Sequence, residues 1–430
     1  MSNRYQHKID TNSNINVRTQ HLSTNIQLRR IPYPYKAMLA ICSDLDETPD
    51  RNVYWQIMRF LNTTEETAMG TGAGLEVGNS IYFDMPQSQF AYWNTDDSGR
   101  EMIQALIRSG HIDCLHSYGD LAVKRQHVAK ALEELDKNGC KLQVWVDHGT
   151  APTNFGSDIM QGHGDEPGHE AYHADLTTDY GIKYIWRGRV TSIIGQDTPT
   201  KLGGIFEKRH PIVSGRTMVK ETAKKFIGRS LNKKYFMHRS NQILQQVALR
   251  DGRNAYEFMR CNPHWRGVSY CDQGRHIEKV LTEEMLNRLI TRGGICILYT
   301  HLGKIDNPKI PFSPEAVESF HKLQELHRNG KILVTTTRRL LTYNLIVHTI
   351  NFDYTEDKIS QCINITTDKN SIYRISESDL DGLTFYVPVP EATRMIIDGR
   401  EVTDIQRNKP DHTGWPSISI PWPALEFPEV

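Results

Sequence analysis

Short apolar runs alternate along this chain with stretches that have helical spacing, and this alternation is the strongest constraint on its fold. Runs of strand length occupy residues 38–43, 74–83, 112–115, 142–146, 184–186, 295–299 and 332–335. Helices are predicted between several of them, at residues 100–109, 121–135, 283–291 and 314–329. Continuously apolar strands alternating with amphipathic helices are typical of a parallel sheet covered by helices. About seven such units predict an α/β fold whose sheet closes, or nearly closes, into a barrel.

Two regions depart from this alternation. Residues 187–275 contain 18 Lys and Arg against 6 Asp and Glu, although the whole chain holds 51 of each class. We interpret them as a basic insertion in the barrel or as an extended loop region of it. From about residue 350 onward, short alternating strands and a hairpin signal at Asp398-Gly399 predict a small β-sandwich. The expected domains are therefore a flexible N-terminal segment at 1–32, a barrel at 33–348 and a β-sandwich at 349–430.

Composition restricts location and partners. The chain lacks an apolar run of the roughly 18 residues that a transmembrane helix needs. Its polar first 30 residues lack the apolar core of a secretory signal. Seven cysteines, several inside apolar runs, indicate a reduced and therefore cytoplasmic protein. Equal numbers of acidic and basic residues and the absence of a recognition motif argue against nucleic acid as a partner.

Two carboxylates, Asp44 and Asp46, follow the apolar run at residues 37–42. Burying a carboxylate is costly unless it is paired, hydrogen-bonded or bound to a metal. In α/β folds, the carboxyl ends of the strands are also where chemistry is usually located. The alternative interpretation is that one of the two caps a loop or the next helix, and the strand alone leaves both open.

A second polar pair, His116 and Asp120, stands where the run at 112–115 gives way to the predicted helix at 121–135. A spacing of four residues would place both side chains on one side of a first helical turn. Together with Asp46 they would form a three-residue metal site with positions left for water. The alternative is a simple hydrogen bond between the two.

Three segments resemble motifs of the polysaccharide deacetylases, the carbohydrate esterase family 4 or NodB-homology enzymes. Asp44-Leu45-Asp46 is similar to the first family motif, and Leu298-Tyr299-Thr300-His301 is similar to the last. Gly110-His111, followed by His116-Ser117 and Asp120, resembles the histidine motif between them. The resemblance covers residues 33–345. It implies a distorted (β/α)7–8 barrel of the glycoside hydrolase/deacetylase type, in agreement with the alternation.

The resemblance also implies roles. Asp44 would be the general base and His301 the general acid. Asp46 and His116 would be metal ligands, and Asp120 would replace the usual second histidine ligand. The implied cofactor is one divalent ion, Zn²⁺ in the first place, with Mn²⁺, Co²⁺ or Ni²⁺ as alternatives.

The chain departs from the family where the arginine that orients the base is expected. That place holds Val144-Trp145-Val146-Asp147-His148-Gly149-Thr150 instead. We predict that Asp147 and His148 either take over the role of that arginine or contact the substrate, and that Trp145 and Trp186 stack on sugar rings. The alternatives are a loop His–Asp pair without a catalytic role and tryptophans of the core.

The leading functional hypothesis is a metal-dependent hydrolase that removes an N- or O-acetyl group from a polysaccharide or a glycan precursor. Two alternatives stay open: a glycoside hydrolase on the same barrel, with two carboxylates across the scissile bond, and a glycan-binding protein with a degraded site. The basic residues 187–275 suit an anionic glycan, a lipid-linked sugar diphosphate or an anionic membrane surface, or form a solvated face.

Overall fold

The computed structural model describes residues 26–45, 47–230, 233–356, 361–367 and 375–429. The chain divides into two compact units. The larger unit comprises the described residues between 36 and 341 together with 424–429, and the smaller comprises residues 26–35 with the described residues between 342 and 423. Each unit therefore contains a piece of the chain that is distant in sequence from the rest of it.

The main sheet of the larger unit has eleven strands in the described residues. In chain order they are β1 (Ala37–Ser43), β2 (Asn79–Ile81), β3 (Ile112–His116), β4 (Val144–Val146), β5 (Tyr184–Trp186), β6 (Val190–Thr191), β7 (Leu244–Ala248), β8 (Asn254–Phe258), β9 (Arg260–Cys261), β10 (Ile295–Thr300) and β11 (Ile332–Val334). A separate ribbon pairs Glu66–Thr67 with Gly70–Thr71.

Helices follow most of these strands, as the alternation predicts. In chain order they are α1 (Arg51–Asn62), α2 (Asp97–Arg108), α3 (Arg125–Lys137), α4 (Ala174–Tyr180), α5 (Pro211–Arg229), α6 (Glu283–Arg292), α7 (Pro314–Arg328) and α8 (Thr337–Thr349). The helix predicted at 121–135 begins four residues later, at Arg125. Ser117 and Gly119 have positive φ angles, so the chain turns there before it can enter the helix.

The sheet is largely parallel, as predicted. Its strands run in the order β7-β8-β5-β4-β3-β2-β1-β10-β9-β6, with β11 beside the start of β1. Along this path only β7 and β8 pair antiparallel. The carboxyl ends of the parallel strands therefore meet at one edge of the sheet.

The two ends of this path are joined by very short links. Strands β5 and β6 are third and last on the path, yet only residues 187–189 separate them. Seven spacings of about 4.8 Å would hold them about 34 Å apart in a flat sheet. Three linking residues span at most about 14 Å, so the sheet must curl. Met259 alone links β8, second on the path, to β9, which is ninth.

The interpretation of residues 187–275 as an insertion is wrong in part, because the region supplies β6, β7, β8 and β9 to the sheet. Two of these strands, β8 and β9, carry a buried charged residue, which interrupts any apolar run. Glu257 in β8 accepts a hydrogen bond from Arg187 Nη2 at 2.6 Å, and Arg260 in β9 pairs with Asp44. A strand that contains buried polar residues is not recognised by a search for apolar runs.

The smaller unit contains two four-stranded sheets. One joins Gln27–Leu28, Thr384–Tyr386, Ser417–Ser419 and Gln406–Asn408; the other joins Asn351–Glu356, Gln361–Thr366, Thr393–Ile397 and Arg400–Glu401. Residues of both sheets, including Ile363, Phe385 and Ile418, belong to one hydrophobic cluster. The strand Gln27–Leu28 makes residues 26–32 part of this unit, so the expectation of a flexible segment is wrong for them. Residues 1–25 lie outside the described residues.

The structure also describes the apolar character of the helices and the state of the cysteines. Within the described ranges, no helix combines the length and the apolar character needed to cross a bilayer. The seven cysteines all lie in described positions, and all are unpaired thiols.

Candidate active site

Polar side chains collect at the carboxyl edge of the curled sheet. Asp44 comes directly after β1, His116 ends β3, and His301 comes directly after β10. Strand β1 pairs in parallel with both β2 and β10, and β2 pairs in parallel with β3. These pairings bring together three side chains that are up to 257 residues apart in the chain.

Asp44 forms a buried ion pair with Arg260. Arg260 Nη1 donates to Asp44 Oδ2 at 2.6 Å, and Nη2 donates to Oδ1 at 3.1 Å. The Arg260 guanidinium also lies 4.1 Å from the ring centre of Trp186. Burial by itself would lower the pKa of Arg260, but the charge of Asp44 raises that pKa above its usual value. Arg260 is thus a permanent cation beside the Asp44 carboxyl group.

The arginine that contacts Asp44 comes from a part of the chain that the sequence motifs do not include. Arg260 opens β9, far from the segment 144–150 where the resemblance places such a residue. The signal in the sequence was weak, since Arg260 is one of 18 basic residues in the region 187–275. Only the curling of the sheet brings β9 beside β10 and close to the end of β1.

His301 also approaches Asp44, at the same oxygen as Arg260 Nη1. Its Nε2 is 4.0 Å from Asp44 Oδ2, and its Nδ1 is 2.8 Å from Asp272 Oδ2. Because a carboxylate accepts hydrogen bonds, Nδ1 carries the proton of this contact. The backbone N–H of His301 also donates to the Asp272 carbonyl at 2.6 Å. Asp272, which the sequence analysis missed, therefore orients the imidazole through its side chain and its backbone.

His116 faces the other oxygen of Asp44. Its Nδ1 is 3.8 Å from Asp44 Oδ1 and 3.4 Å from Ser80 Oγ. The ring stacks on Tyr82 with a centroid separation of 4.4 Å. The Tyr82 hydroxyl is buried and has no hydrogen-bond partner among the described residues. Tyr82 is thus a second site residue that the sequence analysis missed.

His148 contacts His116 directly. Their ring centroids are 4.8 Å apart and the planes are nearly perpendicular; Tyr82 lies 5.1 Å from His148. His148 Nδ1 is 2.9 Å from Asp120 Oδ1. The contact places the proton on Nδ1 and directs the Nε2 lone pair away from Asp120. His148 therefore lies beside the predicted ligand His116.

The predicted arrangement of His116 and Asp120 on one helical turn is wrong. Asp120 lies in the turn between β3 and α3, and its exposed carboxylate bonds to His148. The turn is tight: a Cβ on Gly119 would lie 2.2 Å from the Asp84 carbonyl oxygen. The other predicted ligand, Asp46, lies outside the described residues.

Three residues predicted to contact substrate are buried. Trp145, Asp147 and Trp186 have almost no exposed surface, so they cannot touch a bound sugar in this structure. Trp145 Nε1 donates to Asp147 Oδ1 at 2.7 Å, and Trp186 Nε1 donates to the Arg189 carbonyl at 2.8 Å. The expectation of sugar stacking is corrected here: both tryptophans are core residues. His148 remains partly exposed.

Asp147 instead anchors the loop that follows β4. It accepts hydrogen bonds from Trp145 and from the backbone N–H groups of Phe155 and Gly156, at 2.9 and 2.8 Å. Burial raises the pKa of Asp147 to about 7, against these hydrogen bonds. The loop that carries His148 is therefore fixed at both ends.

Within the described residues, no group of three or more His, Cys, Asp and Glu side chains is arranged to hold a metal ion. Two surface cavities, of about 700 and 460 Å³, lie beside Ile194, Ile205 and Arg288, away from Asp44. The candidate site is consequently defined by its side-chain contacts.

Comparisons of the chain with protein-family models, with curated proteins and with solved structures found no match.

Proposed function

We propose that the chain is a metal-dependent hydrolase that removes an N- or O-acetyl group from a carbohydrate. The observation that carries the proposal is the environment of Asp44. Its two oxygens pair with Arg260, while His116 and His301 approach at 3.8 and 4.0 Å from different sides. A carboxylate between two imidazoles is suited to moving protons during hydrolysis.

The fold proposed with this function is a distorted (β/α)7–8 barrel. The segments β5–β6 and β8–β9 are each one interrupted strand. Counted in this way, the pairings form a ring of seven positions that begins and ends at β1. For the C-terminal residues 349–430 we keep the proposal of a small β-sandwich, on the basis of the cluster that its two sheets share.

Asp44 is the proposed general base. It would take a proton from the water that attacks the acetyl carbonyl. The bidentate contact with Arg260 fixes the plane of the carboxyl group. The Arg260 guanidinium in turn rests on the buried Trp186 ring, which limits its movement.

His301 is the proposed general acid. Its Nε2 lies on the Asp44 side, while Nδ1 bonds to Asp272. A carboxylate on Nδ1 stabilises the imidazolium form, from which Nε2 can donate a proton to the leaving nitrogen or oxygen. The proposed base and the proposed acid thus have separate hydrogen-bond partners, Arg260 and Asp272.

The residues around His116 suit a divalent metal ion. Two imidazoles lie in contact, and one of them is held by a carboxylate in the manner common for metal-bound histidines. The Tyr82 ring lies beside both imidazoles, and its buried hydroxyl has no hydrogen-bond partner among the described residues. This hydroxyl is therefore able to form a hydrogen bond with a molecule bound at the site. A bound ion would acidify a water molecule and polarise the acetyl carbonyl.

We therefore propose His116 and His148 as the imidazole ligands, with Asp120 as the partner that orients His148. This revises the ligand set implied by the resemblance, in which Asp120 itself binds the ion. Asp46 remains a predicted ligand. A set of two histidines and one carboxylate is compatible with Zn²⁺ and also with other first-row metal ions.

The pairing of the carboxylates favours this function over a glycoside hydrolase. Glycosidases need one carboxylic acid and one carboxylate that face each other across the sugar. Here Asp44 is paired with Arg260, and Asp272 is paired with His301. The connected polar cluster likewise argues against a degraded, purely glycan-binding site. The carbohydrate substrate is proposed from the resemblance of the motifs.

The test is acetate release from a panel of N- and O-acetylated sugars by metal-loaded protein. The Asp44→Asn variant should release acetate at least about 100-fold more slowly, because the base is removed. Its metal content should stay at the wild-type level. Asp306→Asn, at an exposed carboxylate, is the matched control.

Equal acetate release by the wild type and Asp44→Asn would reject Asp44 as the base. Failure of the metal-loaded wild type to release acetate from any sugar would reject the proposed reaction. Release of reducing sugar instead would favour the glycosidase alternative.

A further inference from the structure

Helix α5 is amphipathic, but its polar side faces the protein and its apolar side faces outward. The buried residues recur at helical spacing: Ser214, Thr217, Glu221, Lys224 and Gly228. Ordinarily the buried face of a surface helix is apolar. Here the side chains of the buried face are held by hydrogen bonds.

These hydrogen bonds fix the rotation of the helix about its axis. Glu221 accepts from Thr191 Oγ1 at 2.9 Å and from Lys224 Nζ at 2.6 Å. Lys224 Nζ also donates to the Val190 carbonyl, and Thr217 Oγ1 donates to the Trp265 carbonyl at 2.9 Å. Turning the helix to bury an apolar face would break this buried network, at a cost that grows with every unsatisfied group.

The outward face of α5 carries a line of large apolar side chains. Ile212, Val219 and Phe226 are 72%, 69% and 62% exposed. They are spaced seven residues apart, so they lie on one side of the helix over a length of about 21 Å. An exposed apolar stripe of this length is a feature of interaction surfaces.

Basic residues flank the stripe. Arg216, Lys220 and Arg229 are exposed, and Lys225 is half-buried. The one acidic residue of the helix, Glu221, is buried and paired with Lys224. The exposed surface of α5 is therefore apolar and cationic, the combination that marks helices lying at an anionic bilayer surface.

We propose that α5 docks on an anionic lipid bilayer, with Ile212, Val219 and Phe226 inserted at headgroup depth. Docking on a second copy of the chain is less suited, because it would bring the same cations together. The complementary heptad positions also hold Gly215, Thr222 and Arg229 instead of apolar residues. A soluble anionic glycan would leave the apolar stripe in water. The inference does not depend on the proposed hydrolase function.

The experiment is co-sedimentation of the full-length protein with vesicles. We expect binding to vesicles of phosphatidylcholine and phosphatidylserine in equal parts, weak binding to phosphatidylcholine alone, and a loss of binding as salt is raised. The triple variant R216Q/K220Q/R229Q should bind roughly 100-fold more weakly, at about fivefold per basic residue.

The apolar triple variant I212S/V219S/F226S should bind at least about tenfold more weakly. The double variant K309Q/I310S, which removes an exposed cation and an exposed apolar residue elsewhere, is the matched control and should bind normally. Circular dichroism of each variant reports whether it folds. Because the substituted side chains of all three variants are exposed, we expect every variant to fold.

Three results would overturn the proposal. The first is the same weak binding of the wild type to both kinds of vesicle. The second is unchanged vesicle binding by the apolar triple variant, which would indicate purely electrostatic binding without insertion of the apolar side chains. The third is a concentration-dependent dimer that the apolar triple variant abolishes, without vesicle binding, which would assign the face to a second copy of the chain.

Discussion

At the level of single residues, the ion pair between Asp44 and Arg260 is the contact on which the proposed chemistry most depends. Both side chains are almost completely buried. Removing either partner of such a pair costs about 3–5 kcal/mol, because the other charge is left buried and unpaired. The two hydrogen bonds and the Trp186 ring restrict Arg260 to one orientation. We therefore expect Arg260 to contribute both to the stability of the fold and to the proposed activity.

The roles proposed for His148 and Asp120 lead to a prediction at the same scale. His148→Ala should abolish stoichiometric metal binding, because it removes a ligand. Asp120→Asn should keep the metal but weaken its affinity about 10- to 100-fold, because only the support of His148 is changed. Metal content by mass spectrometry and the dissociation constant for Zn²⁺ by calorimetry measure the two effects.

The control for this experiment is His163→Ala, at an exposed histidine that also bonds to a carboxylate. Loss of the metal in Asp120→Asn with full metal content in His148→Ala would restore Asp120 as the ligand. Because metal content is measured directly, the result stands whether or not acetate is released.

At the level of elements, loops at the carboxyl ends of the strands hold the site. The turn between β3 and α3 places Asp120 next to His148, and Asp147 fastens the loop after β4. Because this turn precedes it, helix α3 begins at Arg125 instead of residue 121. The intervening residues form the turn that carries Asp120, with positive φ angles at Ser117 and Gly119.

Asp147 predicts a pH dependence of stability. Its pKa is about 7 in the folded protein, raised by burial, against a reference value of 3.8. Between pH 4 and 7 the folded state thus binds more protons than the unfolded state. This group consequently makes the free energy of unfolding fall as pH rises through that window, and its contribution is constant above it.

Asp147→Asn should remove this contribution. The measurement is urea unfolding at several pH values. The change in the free energy of unfolding from pH 4 to pH 7 should be more positive in the variant than in the wild type. Asp306→Asn should keep the wild-type slope. Parallel curves for the wild type and Asp147→Asn would show that Asp147 titrates normally.

At the level of the whole molecule, the links at residues 187–189 and at Met259 join opposite ends of the strand path. The sheet of the larger unit is therefore held together by strand pairings between residues that are far apart in the sequence. Such contacts have a high entropic cost of formation, but they bring Arg260 to Asp44 across 216 residues. The site therefore forms only when the sheet does.

Inserting one alanine between Met259 and Arg260 tests this connection. Side chains alternate along a strand, so a single added residue turns Arg260 away from Asp44. We expect a loss of stability of about 3–5 kcal/mol, the cost of an unpaired buried charge, measured by urea unfolding. The same insertion between Asp306 and Asn307, in an exposed loop, is the control. Equal stability of the two variants would contradict the importance of the link.

The sequence by itself determined the α/β class, the parallel strands at residues 38–43, 112–115 and 295–299, and three of the strand-end side chains, Asp44, His116 and His301. These features arise from local patterns: continuous apolar runs mark buried strands, and a polar residue directly after such a run marks the strand end. The prediction of parallel pairing followed from the helices between the strands and is confirmed by the sheet order.

Only the tertiary structure decided the partners of those side chains. Arg260, Asp272 and Tyr82 show no local pattern that separates them from other arginines, aspartates and tyrosines of the chain. Their positions result from the pairing and curling of distant strands. Trp145 and Asp147 show the converse case, because strand-end positions suggested contact with a substrate and burial excluded it. The physical reason is the same in both cases: the neighbours and the burial of a side chain depend on long-range packing, which a local sequence pattern does not specify.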